Sequence, residues 1–197
     1  MFNRWIKGPA QPVVIVGSGR RAEDPSTGAL SIIRFVHHEV HEGNTFQASY
    51  KSPDAAPIAD NAAVDFLLIA GDVAEPHFVF SVACGGDCEV EFYEGTTVTN
   101  NGAALQAFNM HRHLAADKIA TMRVFQGPTV NVIGLRLQDV LLPGGTGPAQ
   151  SPGGTARPNT EWVLHPGVTY LLRVTNRAGA AQPVSILVQW YELVHVE

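Results

Sequence analysis

His77-Phe-Val-Phe-Ser-Val-Ala-Cys84, Gly85-Gly-Asp87 and Cys88-Glu-Val-Glu-Phe-Tyr93 run consecutively and decide the fold of this chain. Apolar and polar residues alternate in both arms with a period of two, the period at which side chains of a strand change face. The connection has only three residues and contains glycine, which suits a tight hairpin with one residue in the left-handed region. Pairing Cys84 with Cys88 sets Val82 opposite Val90 and Phe80 opposite Phe92, all on one face. Glu89 and Glu91 then point away from that face, so the spacing predicts a β-hairpin. Its two cysteines fit neither a zinc ribbon nor a redox motif, because no second pair exists. A disulfide across the tip is geometrically possible but closes so small a loop that it restrains the unfolded chain little. Two reduced thiols are the expectation for a chain made in a cytoplasm.

The same alternation extends in both directions. Strands are predicted at 30–38, 44–51, 64–70, 119–125, 130–137, 161–164, 169–175 and 184–193. The last two alternate cleanly, with Tyr170, Leu172 and Val174 set against Val184, Ile186, Val188 and Trp190. Gly102 to Lys118 is open to a helical or an extended reading. Residues 143–158 carry Pro, Gly and Ser throughout, so no packed element is expected there, only a long exposed loop. With 19 Gly and 13 Pro between short apolar runs, about nine strands point to an all-β chain. The predicted form is a two-sheet antiparallel sandwich, jelly-roll-like, as a single domain over 30–197.

The chain has 197 residues, 45% hydrophobic and 16% charged, with a formal net charge of −5. It is too apolar for disorder, and an acidic surface argues against direct nucleic-acid binding. No apolar run approaches the roughly 18–20 residues that span a bilayer, so no membrane contact is expected. The start of the chain lacks the apolar core of a secretory signal. Residues 1–29 read as an N-terminal arm with one short strand at 13–16. Phe2, Trp5 and Ile6, with Arg20 and Arg21, are its expected partner contacts; folding back onto their own domain is an equal alternative.

His37-His-Glu-Val-His41 resembles a metal motif, but His-Glu-x-x-His needs a histidine at position 42, which is Glu42. On a strand, His37, Glu39 and His41 would share a face, as ligands inside a cupin barrel do, with His111 and His113 as further candidates. The cupin spacing is absent, and the expectation is polar pairing or an exposed face, with no metal and no cofactor. Gly17-Ser-Gly-Arg-Arg21 lacks the residues of a phosphate loop or a nucleophile elbow. Glu89, Glu91 and Glu94 read as a solvated strand face. No set of nucleophile, base and oxyanion donor can be named, so no catalytic residue is expected and the chain is read as not an enzyme.

Ile33-Arg-Phe-Val-His-His-Glu-Val-His-Glu-Gly-Asn-Thr-Phe46, Glu91-Phe-Tyr-Glu-Gly-Thr-Thr-Val98 and Ala107-Phe-Asn-Met-His-Arg112 are ordered segments that together resemble a family of tailed-phage virion proteins. Glu161 to Asn176 and Gln189-Trp-Tyr-Glu192 complete the resemblance, which covers roughly residues 24–192. Histidines stand at 111 and 113 where the family carries asparagine. The resemblance implies a virion structural protein. The leading expectation is a capsid decoration or cement subunit on the virion surface, made in the host cytoplasm, homo-oligomeric and bridging major capsid proteins. A tail- or fibre-associated carbohydrate-binding module is the alternative, and a cupin-like metal enzyme the lesser one. The carbohydrate reading needs exposed aromatics, whereas Trp162, Trp190 and Tyr191 lie in apolar strands suited to core packing.

Overall fold

The computed structural model describes residues 35–72, 74–144, 155–156 and 161–194. The arm at 1–29, with Phe2, Trp5, Ile6, Arg20 and Arg21, lies outside them. The chain divides into two units, Met1–Phe35 and Val36–Glu197, and the fold below is that of the second.

Among the described residues one helix, α1 (Phe35–Glu42), precedes fourteen strands. These are β1 (Thr45–Lys51), β2 (Ala63–Ile69), β3 (Ala74–Cys84), β4 (Cys88–Glu94), β5 (Thr97–Asn100), β6 (Ala103–Leu105) and β7 (Phe108–Asn109). They continue with β8 (Arg123–Gln126), β9 (Thr129–Val132), β10 (Leu135–Leu142), β11 (Thr155–Ala156), β12 (Trp162–Val163), β13 (Thr169–Asn176) and β14 (Val184–Val194). A front sheet runs β11-β3-β14-β1-β7, with β12 also on β3; a back sheet runs β10-β4-β13-β2-β8-β6; β5 and β9 form a separate ribbon. All pairings are antiparallel. The all-β antiparallel sandwich is therefore present.

The decisive stretch folds differently from its expected hairpin. β3 pairs with β14 along its whole length, and β4 pairs with β10 and β13, so the two arms lie in different sheets. Gly85-Gly-Asp87 is an arch that carries the chain from one sheet to the other. Val82, Phe80, Val90 and Phe92 do share one core, facing each other across the sandwich, with the Phe80 and Phe92 rings 5.9 Å apart. Period-two alternation predicts the shared face equally for a hairpin and an arch, which is why it does not separate them. Cys84 and Cys88 form a disulfide across the arch, in place of the expected reduced thiols. Both sit in the core, so the bond joins the two sheets at their corner. β13 and β14 repeat the pattern: Tyr170, Leu172 and Val174 of the back sheet oppose Val184, Ile186, Val188 and Trp190 of the front sheet.

Other boundaries also move. The described part of the predicted 30–38 strand is helical, and α1 ends in a Schellman motif. There the Gly43 amide donates to the Val40 carbonyl and the Asn44 amide to the Glu39 carbonyl. Gly43 has φ +74, a left-handed value that glycine adopts without a Cβ penalty. The 130–137 strand is instead two, β9 and β10, broken at Ile133-Gly134. Gly134 has φ +94, and a Cβ there would meet the Glu94 carbonyl oxygen at 2.2 Å. The 119–125 strand starts only at Arg123. Gly102 to Lys118 is extended in β6 and β7 and then turns, without a helix. Within 143–158, β11 pairs with Ala83 and Val82 of β3. Two residues can add to a sheet edge through backbone bonds alone, which composition cannot forbid.

The back sheet has a second apolar layer. Leu67, Tyr93 and Leu171 point outward and are covered by Val98 and Val130 of the β5–β9 ribbon and by Ile133. Glu91 also lies on this outer side yet is buried, holding the Tyr93 hydroxyl and Arg136. The solvated acidic face expected at Glu89, Glu91 and Glu94 is therefore closed at Glu91. Arg177 pairs with Glu89 at 2.7 Å.

Candidate functional site

One end of the front sheet gathers most of the chain's histidines. It is covered by α1 and by the segment from Asn109 to Met122, and Asn109 joins these two pieces. Its amide donates to the Gly43 carbonyl at 2.8 Å and to the Lys118 carbonyl at 3.2 Å, while its Oδ1 accepts the His111 amide at 2.8 Å. Lys118 adds a bond to Asn44 Oδ1 at 3.2 Å. The element at 107–112 is thus built around a buried asparagine.

Glu192 fixes the far end of this cover. Its carboxylate accepts the amides of Thr121 and Met122, the Thr121 hydroxyl and Trp190 Nε1, at 2.8–3.0 Å. Glu192 occupies the inward position of β14 after Trp190, where every earlier inward residue is apolar. A carboxylate there is stable because its oxygens are fully hydrogen-bonded. No residue-level reading of the chain singled it out. The available signal was the charge itself, standing in the core-facing register of an alternating strand.

Between α1 and the outer side of the front sheet lies a cavity of about 180 Å³, lined among others by Val40, Thr45, Val79 and Met110. At its mouth the Tyr191 hydroxyl bonds Glu161 Oε1 at 2.8 Å and His77 Nδ1 at 2.9 Å. The His77 and Tyr191 rings stack at 4.5 Å. Burial, with the bond to Glu161 and its charge, pushes the Tyr191 phenol above its ordinary pKa. The hydroxyl is therefore a proton donor to the carboxylate and a poor source of phenolate. The Thr45 hydroxyl is buried in the same wall without a hydrogen-bond partner among the described residues. A polar mouth, an apolar interior and one unanswered hydroxyl suit a small ligand with a single polar end.

The helix reassigns the histidine motif. His37, Glu39 and His41 do not share a face. Glu39 turns inward, is 5% exposed, and accepts Asn44 Nδ2 at 2.8 Å. His37 and His41, four residues apart, come together on the outside with Nε2 atoms 3.0 Å apart. His111 is brought up beside them, its ring 6.5 Å from that of His41, and His113 lies 6.4 Å beyond His111. The arrangement is on an exposed helix and not inside a barrel, so the cupin geometry is absent.

Trp190 and Tyr191 are buried, and Trp162 packs on Phe92 at 5.6 Å. Trp190 and Trp162 serve the core, as expected from their strands, whereas Tyr191 is buried on the outer side of the front sheet against His77. Among the described residues no helix is long and apolar enough to cross a membrane. Glu89, Glu91 and Asp139 form an acidic cluster, but Arg136 and Arg177 already answer it. No family model and no curated protein matches the chain.

Proposed function

We propose that the chain is a structural subunit of a phage virion, of the capsid decoration or cement type, and not an enzyme. It would bridge major capsid proteins as a homo-oligomer, without contacting nucleic acid or membrane. The observation that carries this reading is the back sheet's edge at β10. This strand is eight residues long, and no described strand pairs with its outer side. It exposes Leu135 and Leu141 by 68% and 63%, with Val132 beside it at 53%. The paired Arg136 and Asp139 and the bulge after Arg136 guard this edge against indiscriminate pairing, so it favours a partner that matches them. An edge with open backbone donors and acceptors is suited to a neighbouring subunit that adds a strand. Weak contacts of this kind accumulate when many copies bind a symmetric shell.

The resemblance of several ordered segments to tailed-phage virion proteins supports the same reading. So does the use of the buried polar residues: Glu192, Asn109, Asn176 and Glu91 are all engaged in holding strands and turns. Cryo-electron microscopy of purified particles, combined with mass-spectrometric copy numbers, tests it. Regular density on the head at a copy number matching the shell's symmetry is expected. Density on the tail alone, or absence from the particle, overturns the decoration reading.

A further inference from the structure

We propose that His37 and His41 form a binding site for one divalent transition-metal ion of the nitrogen-preferring class, with His111 as the nearest further imidazole. The site does not depend on the virion reading.

The argument starts from the helix. Residues four apart on α1 stand one above the other, and both rings lie on the exposed side. Their Nε2 atoms are 3.0 Å apart. Metal–nitrogen bonds of about 2.0–2.1 Å, opened by about 90–110°, place two nitrogens roughly 2.9–3.4 Å apart. The pair therefore stands at chelating distance with no change in the helix. In the metal-free protein one ring donates its Nε2–H to the Nε2 lone pair of the other. For a cation to take both lone pairs the donor ring passes its proton through solvent from Nε2 to Nδ1, so both rings stay neutral and the cation's other positions go to water.

His111 stands nearby, its ring centroid 6.5 Å from that of His41, and would have to turn its side chain to meet an ion held by the pair. Its Nδ1 accepts the Leu114 amide at 3.2 Å, which keeps the ring proton on Nε2. Ligation through Nε2 therefore requires that bond to be given up, so His111 adds less than either helix histidine. The backbone below is firm, because the Schellman turn and the Asn109–Gly43 bond hold the C-terminal end of α1. Neutral imidazoles without thiolate select copper, nickel and zinc over magnesium and calcium, with Cu²⁺ bound most tightly.

Equilibrium dialysis or calorimetry of the full chain, free of any polyhistidine tag, tests the site with Ni²⁺, Zn²⁺ and Mg²⁺. One equivalent of Ni²⁺ and of Zn²⁺ is expected to bind, and no Mg²⁺. His37→Ala and His41→Ala should each weaken binding by about tenfold or more, and His111→Ala by less. His113→Ala should leave it unchanged. Both helix histidines are exposed, so circular dichroism should show the variants folded as the parent. Binding by the parent should also raise its thermal midpoint, and the double variant H37A/H41A should lose that rise. No stoichiometric Ni²⁺ binding, or binding that survives in the folded double variant, overturns the proposal.

Discussion

The β5–β9 ribbon lies on the back sheet through apolar side chains, whereas residues 109–122 reach the end of the front sheet mainly through hydrogen bonds. Under the ribbon, Leu67 and Leu171 are fully buried against Val98, Val130 and Ile133. At the histidine end the cover hangs on Glu192 and Asn109, each taking several backbone groups of the covering segment. Apolar contact is non-directional and tolerates no water, so it closes a face. Hydrogen bonds fix a segment at a few points and leave room between them. That room is the 180 Å³ cavity and the exposed histidine pair. One outer face is thus closed for stability and the other is held open with defined side-chain positions.

The largest expected effect breaks the closed side. Leu171→Ala removes a fully buried side chain between sheet and ribbon and should cost about 2–5 kcal/mol, read from urea denaturation. Leu187→Ala, at a half-buried position on the outer side of the front sheet, should cost about 1 kcal/mol or less. Equal losses would remove the distinction between the two faces.

Next comes the polar latch. Glu192→Gln keeps the shape but turns an amide group toward donors that need acceptors, and should cost about 3 kcal/mol. Hydrogen exchange at the amides of Thr121 and Met122 should rise more than at β13. A uniform change across the sandwich would show that the carboxylate supports the whole core and not this cover.

How much of this could be read from the chain depends on the range of the interaction. Alternation at 77–84 and 88–93 correctly places Phe80, Val82, Val90 and Phe92 in one core, because facing is a local property of each strand. Whether those arms pair with each other depends on where β13 and β14 go, nearly a hundred residues later, and no local pattern carries that. At α1 the β-branched run suggests a strand. Gly43 after His41-Glu42 was the legible stop signal of a helix. The histidines were singled out and grouped with His111, but on a strand inside a barrel; His37 and His41 instead meet at helical spacing on an exposed helix, and His111 arrives through the tertiary fold. Glu192 was legible in principle, as a charge in a core register that demands partners.

The smallest expected effect compares one tyrosine from each face. Tyr93 lies under the ribbon, and burial, with the bond to Glu91 and its charge, pushes its phenol up to about 12. Tyr191 at the cavity mouth is raised by burial first and by Glu161 second. Both folded values exceed the ordinary phenol value of about 10, so the fold favours the protonated form. Their contribution to stability is complete below pH about 10 and is lost as pH rises through the folded values. Between those limits the unfolded chain has released protons that the native chain retains, and the urea midpoint should fall. Tyr93→Phe and Tyr191→Phe should each flatten that fall, because phenylalanine has no proton to lose. The Tyr191 variant leaves Glu161 paired with His77 at 3.3 Å, whereas the Tyr93 variant removes a donor from the buried carboxylate of Glu91 and leaves it only Arg136 at 3.4 Å. Loss of stability near neutral pH should therefore be greater for Tyr93→Phe, and the reverse order would mean that the cavity mouth depends on its tyrosine more than the ribbon side does.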